Sequence, residues 1–194
     1  MKRYLFPYFG LMIIAGGLLS TAAADGNRPF FENDRLKLLA IPRTPNQMAG
    51  FYEARGFPQK MIDVLTDYCF MTVIVHNKTK NEIWLNMDNW KFISRSGEVK
   101  RIHRQQWHSR WKEMKIPMAF QSTFRWTLLP ETLELFPDEQ EGGNVVLVQN
   151  DNTISLQADF AVGKDASEGN IAALINNLRC AKNSKNSFEG TTKP

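Results

Sequence analysis

The fold of this 194-residue chain is decided by the stretch Phe70-Met71-Thr72-Val73-Ile74-Val75-His76-Asn77. Apolar and β-branched residues dominate it, a composition typical of a β-strand. The polar segment 77–81 that follows predicts a turn, and residues 83–87 return to strand composition. The stretch therefore opens a series of short strands that are separated by turns.

Further segments of strand composition follow along the chain. They lie at residues 90–93, 120–128, 144–148, 153–162 and 171–178. In 120–128 the bulky residues fall on alternate positions, which is the period of a strand with one buried face. About seven short strands, without a regular alternation of strand and helix, predict a mainly β protein built as an antiparallel β-sandwich.

Two helical elements are predicted in addition to the strands. Thr44 and Pro45 form a typical helix start, because Thr caps a helix and Pro suits its first position. The apolar repeat of three to four residues that follows predicts a short N-terminal helical hairpin, a helical preface over residues 44–68. The segment at about 103–115 predicts one inserted helix.

The chain length suits a single domain, which we place at residues 44–180. Residues 25–43 are predicted to form an extended N-terminal segment. The tail at 181–194 is rich in Lys, Asn, Ser, Gly and Thr, and is predicted to be disordered.

Residues 1–24 have the pattern of a secretory signal peptide. Lys2 and Arg3 precede an apolar run, and Ala22 and Ala24 match the A-x-A cleavage pattern. The run holds about 15 residues, fewer than the roughly 20 that a membrane span requires. We expect cleavage rather than an uncleaved anchor, and a periplasmic or secreted protein that has no transmembrane segment after cleavage.

The charge balance argues against nucleic-acid binding. The chain carries 24 Lys and Arg residues against 20 Asp and Glu residues, a net charge of +4. Residues 1–24 contain two basic and no acidic residues, so the remainder carries 22 against 20, a net charge of +2. Nucleic-acid-binding domains usually concentrate a larger positive excess, and we expect no nucleic-acid partner.

The two cysteines, Cys69 and Cys180, lie 111 residues apart. An exported protein meets an oxidising compartment, where an even number of cysteines favours pairing. We predict a disulfide that joins the start of the main domain to its end. Free thiols and a redox or metal-binding pair are the alternatives, and no C-x-x-C spacing supports the second of these.

Several segments resemble the telokin-like bacterial immunoglobulin-like domains. Residues 72–78, 83–85, 90–92 and 96–97 are similar to the opening hairpin of that class, and 135–143 with the following strand is similar to its Pro-acidic-Gly turn. The resemblance covers about residues 70–162. It implies an exported immunoglobulin-like β-sandwich with no shared catalytic residues, from which the helical preface and the inserted helix depart.

The most distinctive segment for function is residues 101–115. On a helix, Trp107 and Trp111 share one face, while Arg104 and His108 lie on another at a four-residue step. Aromatic area and cations together suit contact with a ligand or partner that carries an acidic group. Arg104, Trp107, His108 and Trp111 are therefore the predicted binding residues. The alternative is a scaffolding helix whose tryptophans are buried and whose basic stripe is solvated.

No nucleophile, phosphate-loop or dinucleotide motif is present in the sequence. We predict a non-catalytic binding or accessory protein without a cofactor, whose partner is another exported or envelope protein. One alternative is a periplasmic copper-handling protein that uses its methionines and His76, His103 and His108, since Cu(I) prefers such soft ligands. The other is a hydrolase without a recognisable motif.

Overall fold

The computed structural model describes residues 29–183. The signal peptide predicted at 1–24 and the predicted tail beyond residue 183 lie outside the described residues. Within 29–183 the chain is mainly β, with ten strands in two antiparallel sheets and four α-helices, which confirms the fold class at that level. In this part of the chain no helix is both long and apolar enough to cross a membrane.

The four helices lie in two consecutive pairs, each inserted between two strands of the chain order. In chain order they are β1 (Phe30–Glu32), β2 (Leu36–Arg43), α1 (Pro45–Glu53), α2 (Gln59–Thr66), β3 (Tyr68–Asn77), β4 (Ile83–Asn86), β5 (Lys91–Ser94), β6 (Gly97–Glu98), α3 (Arg104–Glu113), α4 (Met118–Thr127), β7 (Thr132–Leu135), β8 (Gln140–Val148), β9 (Ile154–Val162) and β10 (Asn170–Leu178).

The first sheet has the strand order β1-β2-β3-β8, so the stretch at residues 70–77 lies in one of its central strands. Alternate residues of β3, such as Met71 and Val73, are buried in the core between the sheets. Phe70 points to the opposite face, where it belongs to a second apolar cluster. This strand is buried on both faces for part of its length, which accounts for its nearly continuous apolar composition.

The segment predicted as extended at 25–43 contains β1 and β2. The second of these strands pairs with β3 along its whole length, from Leu36 opposite Asn77 to Arg43 opposite Phe70. Leu36, Leu38 and Ala40 are fully buried. Residues 30–43 are therefore an integral part of the first sheet.

The second sheet is built around β9. This strand pairs with β10 on one side and with β4 and β5 on the other. β7 then pairs with β4, and β6 with β5. Inward-facing residues of both sheets, including Leu38, Val73, Leu156 and Phe160, form one continuous core.

The predicted disulfide between Cys69 and Cys180 is present, with Cα atoms 5.2 Å apart. Cys69 belongs to β3 of the first sheet, and Cys180 follows β10 of the second. Both residues are buried. The bond therefore joins the two sheets directly.

The predicted helical hairpin is present as α1 and α2, and the predicted inserted helix as α3. Thr44 caps α1: its Oγ1 accepts from Gln47 N, and the Gln47 side chain accepts from Thr44 N. All four helices contribute to the second apolar cluster, which packs on Phe70 and Val146 of the first sheet. The molecule thus has a helical layer against the outer face of one of its sheets.

The prediction of a strand at 120–128 is wrong, because this segment forms most of α4. Phe124 and Leu128 are buried, whereas Trp126 is 82% exposed. A strand with one buried face would hide all three. The four-residue step from Phe124 to Leu128 is a multiple of two and also one turn of a helix, so the alternation fitted both periods.

Candidate functional site

The candidate site lies between α3 and α4, whose positions are fixed by hydrogen bonds at their ends. At the start of α3, the Gln106 side chain accepts from His103 N at 3.0 Å, and Glu131 Oε1 accepts from Arg104 N at 2.8 Å. Just after α4, Leu129 N donates to the carbonyl of Asn144 in β8 at 3.0 Å. The segment 114–117 between the helices is short, so α4 lies beside α3.

Three aromatic rings form the floor of this site. The indoles of Trp107 and Trp111 stack with centroids 5.1 Å apart and planes inclined by 20°. Phe124 of α4 meets both indoles edge to face, at 5.2 Å and 5.4 Å. The tryptophans are no more than 2% exposed, which agrees with the burial that the scaffolding alternative expects.

The same residues also line a cavity of about 140 Å³ between the two helices. All four predicted binding residues, Arg104, Trp107, His108 and Trp111, lie in its wall. Residues of α4 complete the wall, among them Phe124 and Arg125. The structure thus brings together all four residues that the sequence pattern indicates. Trp107 and Trp111 are buried, whereas the pattern leads one to expect exposed aromatic surface.

The cavity is positively charged at its margin. Arg104, His108 and Arg125 line it, and no Asp or Glu residue does. Burial lowers the pKa of Arg104, the nearby charge of Arg125 acts in the same direction, and Glu131 opposes both. An arginine stays protonated in proteins even so, and it therefore presents a permanent cation here.

Unpartnered polar atoms concentrate around this cavity. Within residues 29–183, five buried side-chain nitrogen or oxygen atoms have no hydrogen-bond partner, and four of them belong to cavity residues: Arg104 Nε, Trp107 Nε1, Trp111 Nε1 and Gln121 Oε1. A buried polar group without a partner costs about 1–3 kcal/mol. Such groups are rare in native proteins, and here four of the five belong to residues that line this one cavity.

A second group of side chains lies near the start of α3. One ligand atom from each of Asp88, His103 and Glu131 lies within 4.8 Å of the others. The Arg101 guanidinium occupies their centre, with Nη2 2.9 Å from Asp88 Oδ1 and 3.0 Å from His103 Nδ1, and Nη1 bonded to Glu131 Oε2. A metal ion would have to displace this cation. The group functions as an ion-pair network that fixes the start of α3.

The three histidines are in different surroundings. His76 Nε2 lies 3.0 Å from Asp138 Oδ1, His103 belongs to the Arg101 network, and His108 lines the α3–α4 cavity. The copper alternative therefore lacks a shared histidine cluster in the described part of the chain. For the hydrolase alternative, Ser122 and His108 line the same cavity, but no hydrogen bond joins them in the described residues.

The contribution of α4 to the site does not follow from the sequence pattern. Because the alternating pattern of 120–128 predicts a strand, it does not indicate Gln121, Ser122 and Arg125 as site residues. Two signals favoured a helix. Pro117 precedes the segment, where proline suits a helix start, and Phe120, Phe124 and Leu128 recur at four-residue steps.

Comparison with known proteins gave no match: no family model, curated protein or solved structure is similar to this chain.

Proposed function

We propose that the protein is an exported, non-catalytic binding protein that holds a small molecule in the cavity between α3 and α4. We further propose that its scaffold is an immunoglobulin-like β-sandwich, with the helical layer added on the outside of one sheet. The predictions of an exported location and of an exported or envelope protein as partner belong to the same proposal. A disulfide between buried cysteines is consistent with an oxidising compartment.

One observation carries the proposal. A cavity, an aromatic floor and four unpartnered buried polar atoms coincide at one place. Ligand sites are typically concave and mostly apolar, with a few polar groups that orient the ligand. A purely scaffolding helix pair needs neither the cavity nor the unpaired donors, and each of these features lowers its stability.

The support beneath the cavity suits a binding site. The second apolar cluster includes Trp107, Trp111 and Phe124 of the floor together with Phe70 of β3 and Val146 of β8 in the first sheet. Close-packed interiors of this kind hold side chains in fixed rotamers. A preorganised wall lowers the entropy cost of binding.

The test fills the cavity and then screens for ligands. Ser122→Phe adds a ring to the cavity wall, and Ser109→Phe adds the same ring at an exposed position of α3 outside the cavity. Both proteins and the parent chain are screened by saturation-transfer NMR against a library of fragments with up to about ten non-hydrogen atoms. We expect fragments that bind the parent and the Ser109 variant but not the Ser122 variant.

Two results would overturn the proposal. One is a screen in which no fragment binds the parent chain. The other is a set of fragments that all bind the Ser122 variant as strongly as the parent, because their site is then elsewhere.

A further inference from the structure

We propose that the ligand of the α3–α4 cavity is a small planar organic anion, with a carboxylate on an aromatic or unsaturated ring. This inference rests on the proposed function and specifies the chemistry of the ligand. Three properties of the cavity carry it: its volume, the shape of its aromatic floor and the sign of its charge.

The volume limits the ligand to a single ring with a small head group. The cavity measures about 140 Å³. An engineered apolar cavity of about 150 Å³ in another protein binds benzene, which sets the scale. A ligand with one six-membered ring and one carboxylate is close to this limit, whereas a nucleotide or a disaccharide exceeds it.

The aromatic floor favours a flat ligand. Trp107 and Trp111 are nearly parallel, with planes inclined by 20°, and Phe124 stands edge-on to both. Aromatic pairs prefer offset-stacked or edge-to-face contacts, and both orientations are offered by these three rings. A planar ring in the cavity can therefore contact this cluster in either orientation, over the small part of the three rings that is exposed.

The charge at the margin selects an anion. The permanent cations Arg104 and Arg125 line the cavity and no carboxylate of residues 29–183 does, although Glu131 next to Arg104 offsets part of their charge. One donor of Arg104 is already used, since its Nη2 bonds the carbonyl of Leu128, but its Nε has no partner in the described residues. The guanidinium is a permanent cation and pairs favourably with carboxylates, so it attracts an anion to this margin of the cavity.

The indole nitrogens of the floor are not reached by a ligand directly. Trp107 Nε1 and Trp111 Nε1 are buried and have no partner within the described residues. The packed cluster holds both rings in place, so the anionic group of the ligand is bound by the cations at the margin rather than by the indoles.

The test compares three ligands of similar size and different charge: benzoate, benzyl alcohol and benzylamine. Their affinities for the full chain without residues 1–24 are measured by isothermal titration calorimetry. We expect benzoate to bind at least tenfold more tightly than benzyl alcohol, and benzylamine to bind most weakly. Arg104→Gln should weaken benzoate binding by about ten- to hundredfold, the range expected for loss of a charged hydrogen bond, and should change benzyl alcohol binding less than twofold.

Two further variants serve as a charge control and as a second substitution at the cavity margin. Lys112→Gln removes one positive charge from an exposed position of the same helix outside the cavity and should leave benzoate binding unchanged. Arg125→Gln, at an exposed position of the cavity margin, should weaken benzoate binding in the same direction as Arg104→Gln even if the latter protein does not fold.

The outcomes separate this inference from the proposed function. If benzyl alcohol or benzylamine binds as tightly as benzoate, or if the arginine variants bind benzoate unchanged, the ligand is not selected as an anion and only this inference fails. If neutral fragments bind at the cavity and benzoate does not, the same conclusion holds. If no small molecule binds, both proposals fail together.

Discussion

The hydroxyl of Tyr52 in α1 lies 2.8 Å from Thr127 Oγ1 in α4, and this bond joins the N-terminal helical hairpin to one wall of the candidate site. Thr127 Oγ1 also bonds the Phe124 carbonyl at 2.7 Å. Tyr52 is fully buried, and its ring contacts Phe124 with centroids 5.6 Å apart. The hairpin thus packs against the aromatic floor through Tyr52.

The burial of Tyr52 predicts a loss of stability at high pH. Burial raises the pKa of the Tyr52 phenol well above its ordinary value near 10, while its bond to Thr127 acts in the opposite direction. The folded protein keeps this phenol neutral, whereas the unfolded chain releases the proton above about pH 10. The unfolded state is therefore favoured as the pH rises further, by about 1.4 kcal/mol per pH unit.

Urea unfolding of the parent chain and of Tyr52→Phe checks this prediction. Near pH 7 the variant should be less stable by about 1 kcal/mol, because it lacks one hydrogen bond. Between pH 10 and 11.5 the free energy of unfolding of the parent should fall more steeply than that of the variant. Parallel curves over this range would show that Tyr52 ionises equally in both states.

The disulfide predicts a large effect on stability. Replacing both Cys69 and Cys180 by Ala should lower the free energy of unfolding by about 2–5 kcal/mol, because the bond closes a long loop in the unfolded chain. Thermal unfolding with and without a reductant measures this loss of stability. Reductant should destabilise the parent and leave the double variant unchanged. A parent whose stability is insensitive to complete reduction would contradict the prediction.

Substitutions of two tryptophans in the helical layer are expected to differ strongly in their effect on stability. Trp107→Ala should cost about 3–5 kcal/mol of folding free energy, because the side chain is buried in the second apolar cluster. Trp126→Ala, at an 82% exposed position of α4, should change it by less than about 0.5 kcal/mol. Denaturant unfolding compares the two. Equal costs would mean that α4 does not have the described orientation.

The contacts of Glu131 predict that the ion-pair network stabilises the start of α3. Its carboxylate holds both the Arg101 guanidinium and the Arg104 backbone N–H. Since the Arg101 side chain is only 9% exposed, Glu131→Gln should cost about 1–3 kcal/mol of stability. Asp88→Asn is the matched control and should cost less than about 1 kcal/mol, because Asp88 is 69% exposed. A larger effect at Asp88 than at Glu131 would refute this assignment.

The sequence predicted those elements whose local signals agree with their tertiary environment. Residues 70–77 are apolar and β-branched because both faces of β3 are covered, one by the other sheet and one by the helices. The cysteine pairing followed from the even count and the expected compartment. The α1 start followed from Thr44 and Pro45, whose capping interactions are local and therefore visible in sequence.

The sequence was less informative where burial depends on contacts distant along the chain. Trp126 has the alternate spacing of a buried strand residue, yet it is exposed, because α4 packs through Phe124 and Leu128 instead. The cavity was hidden for the same reason. One wall is α3, which the sequence predicts as a helix. The other wall is α4, whose sequence predicts a strand, so only the α3 residues of the site follow from the sequence.

The most direct test for a ligand between α3 and α4 observes the indole N–H signals of the five tryptophans during a benzoate titration. The chain supplies its own controls, because Trp84 Nε1 already donates to the Gly163 carbonyl at 2.8 Å and Trp126 is exposed. Signals are assigned by single Trp→Phe variants and followed by ¹⁵N-edited NMR up to about 10 mM benzoate, ten times a Kd of 1 mM. If benzoate binds in the α3–α4 cavity, the signals of Trp107 and Trp111 are expected to move and saturate. The signals of the other three tryptophans should stay in place. Unmoved signals for both of these residues, or movement of Trp126 alone, would contradict the account.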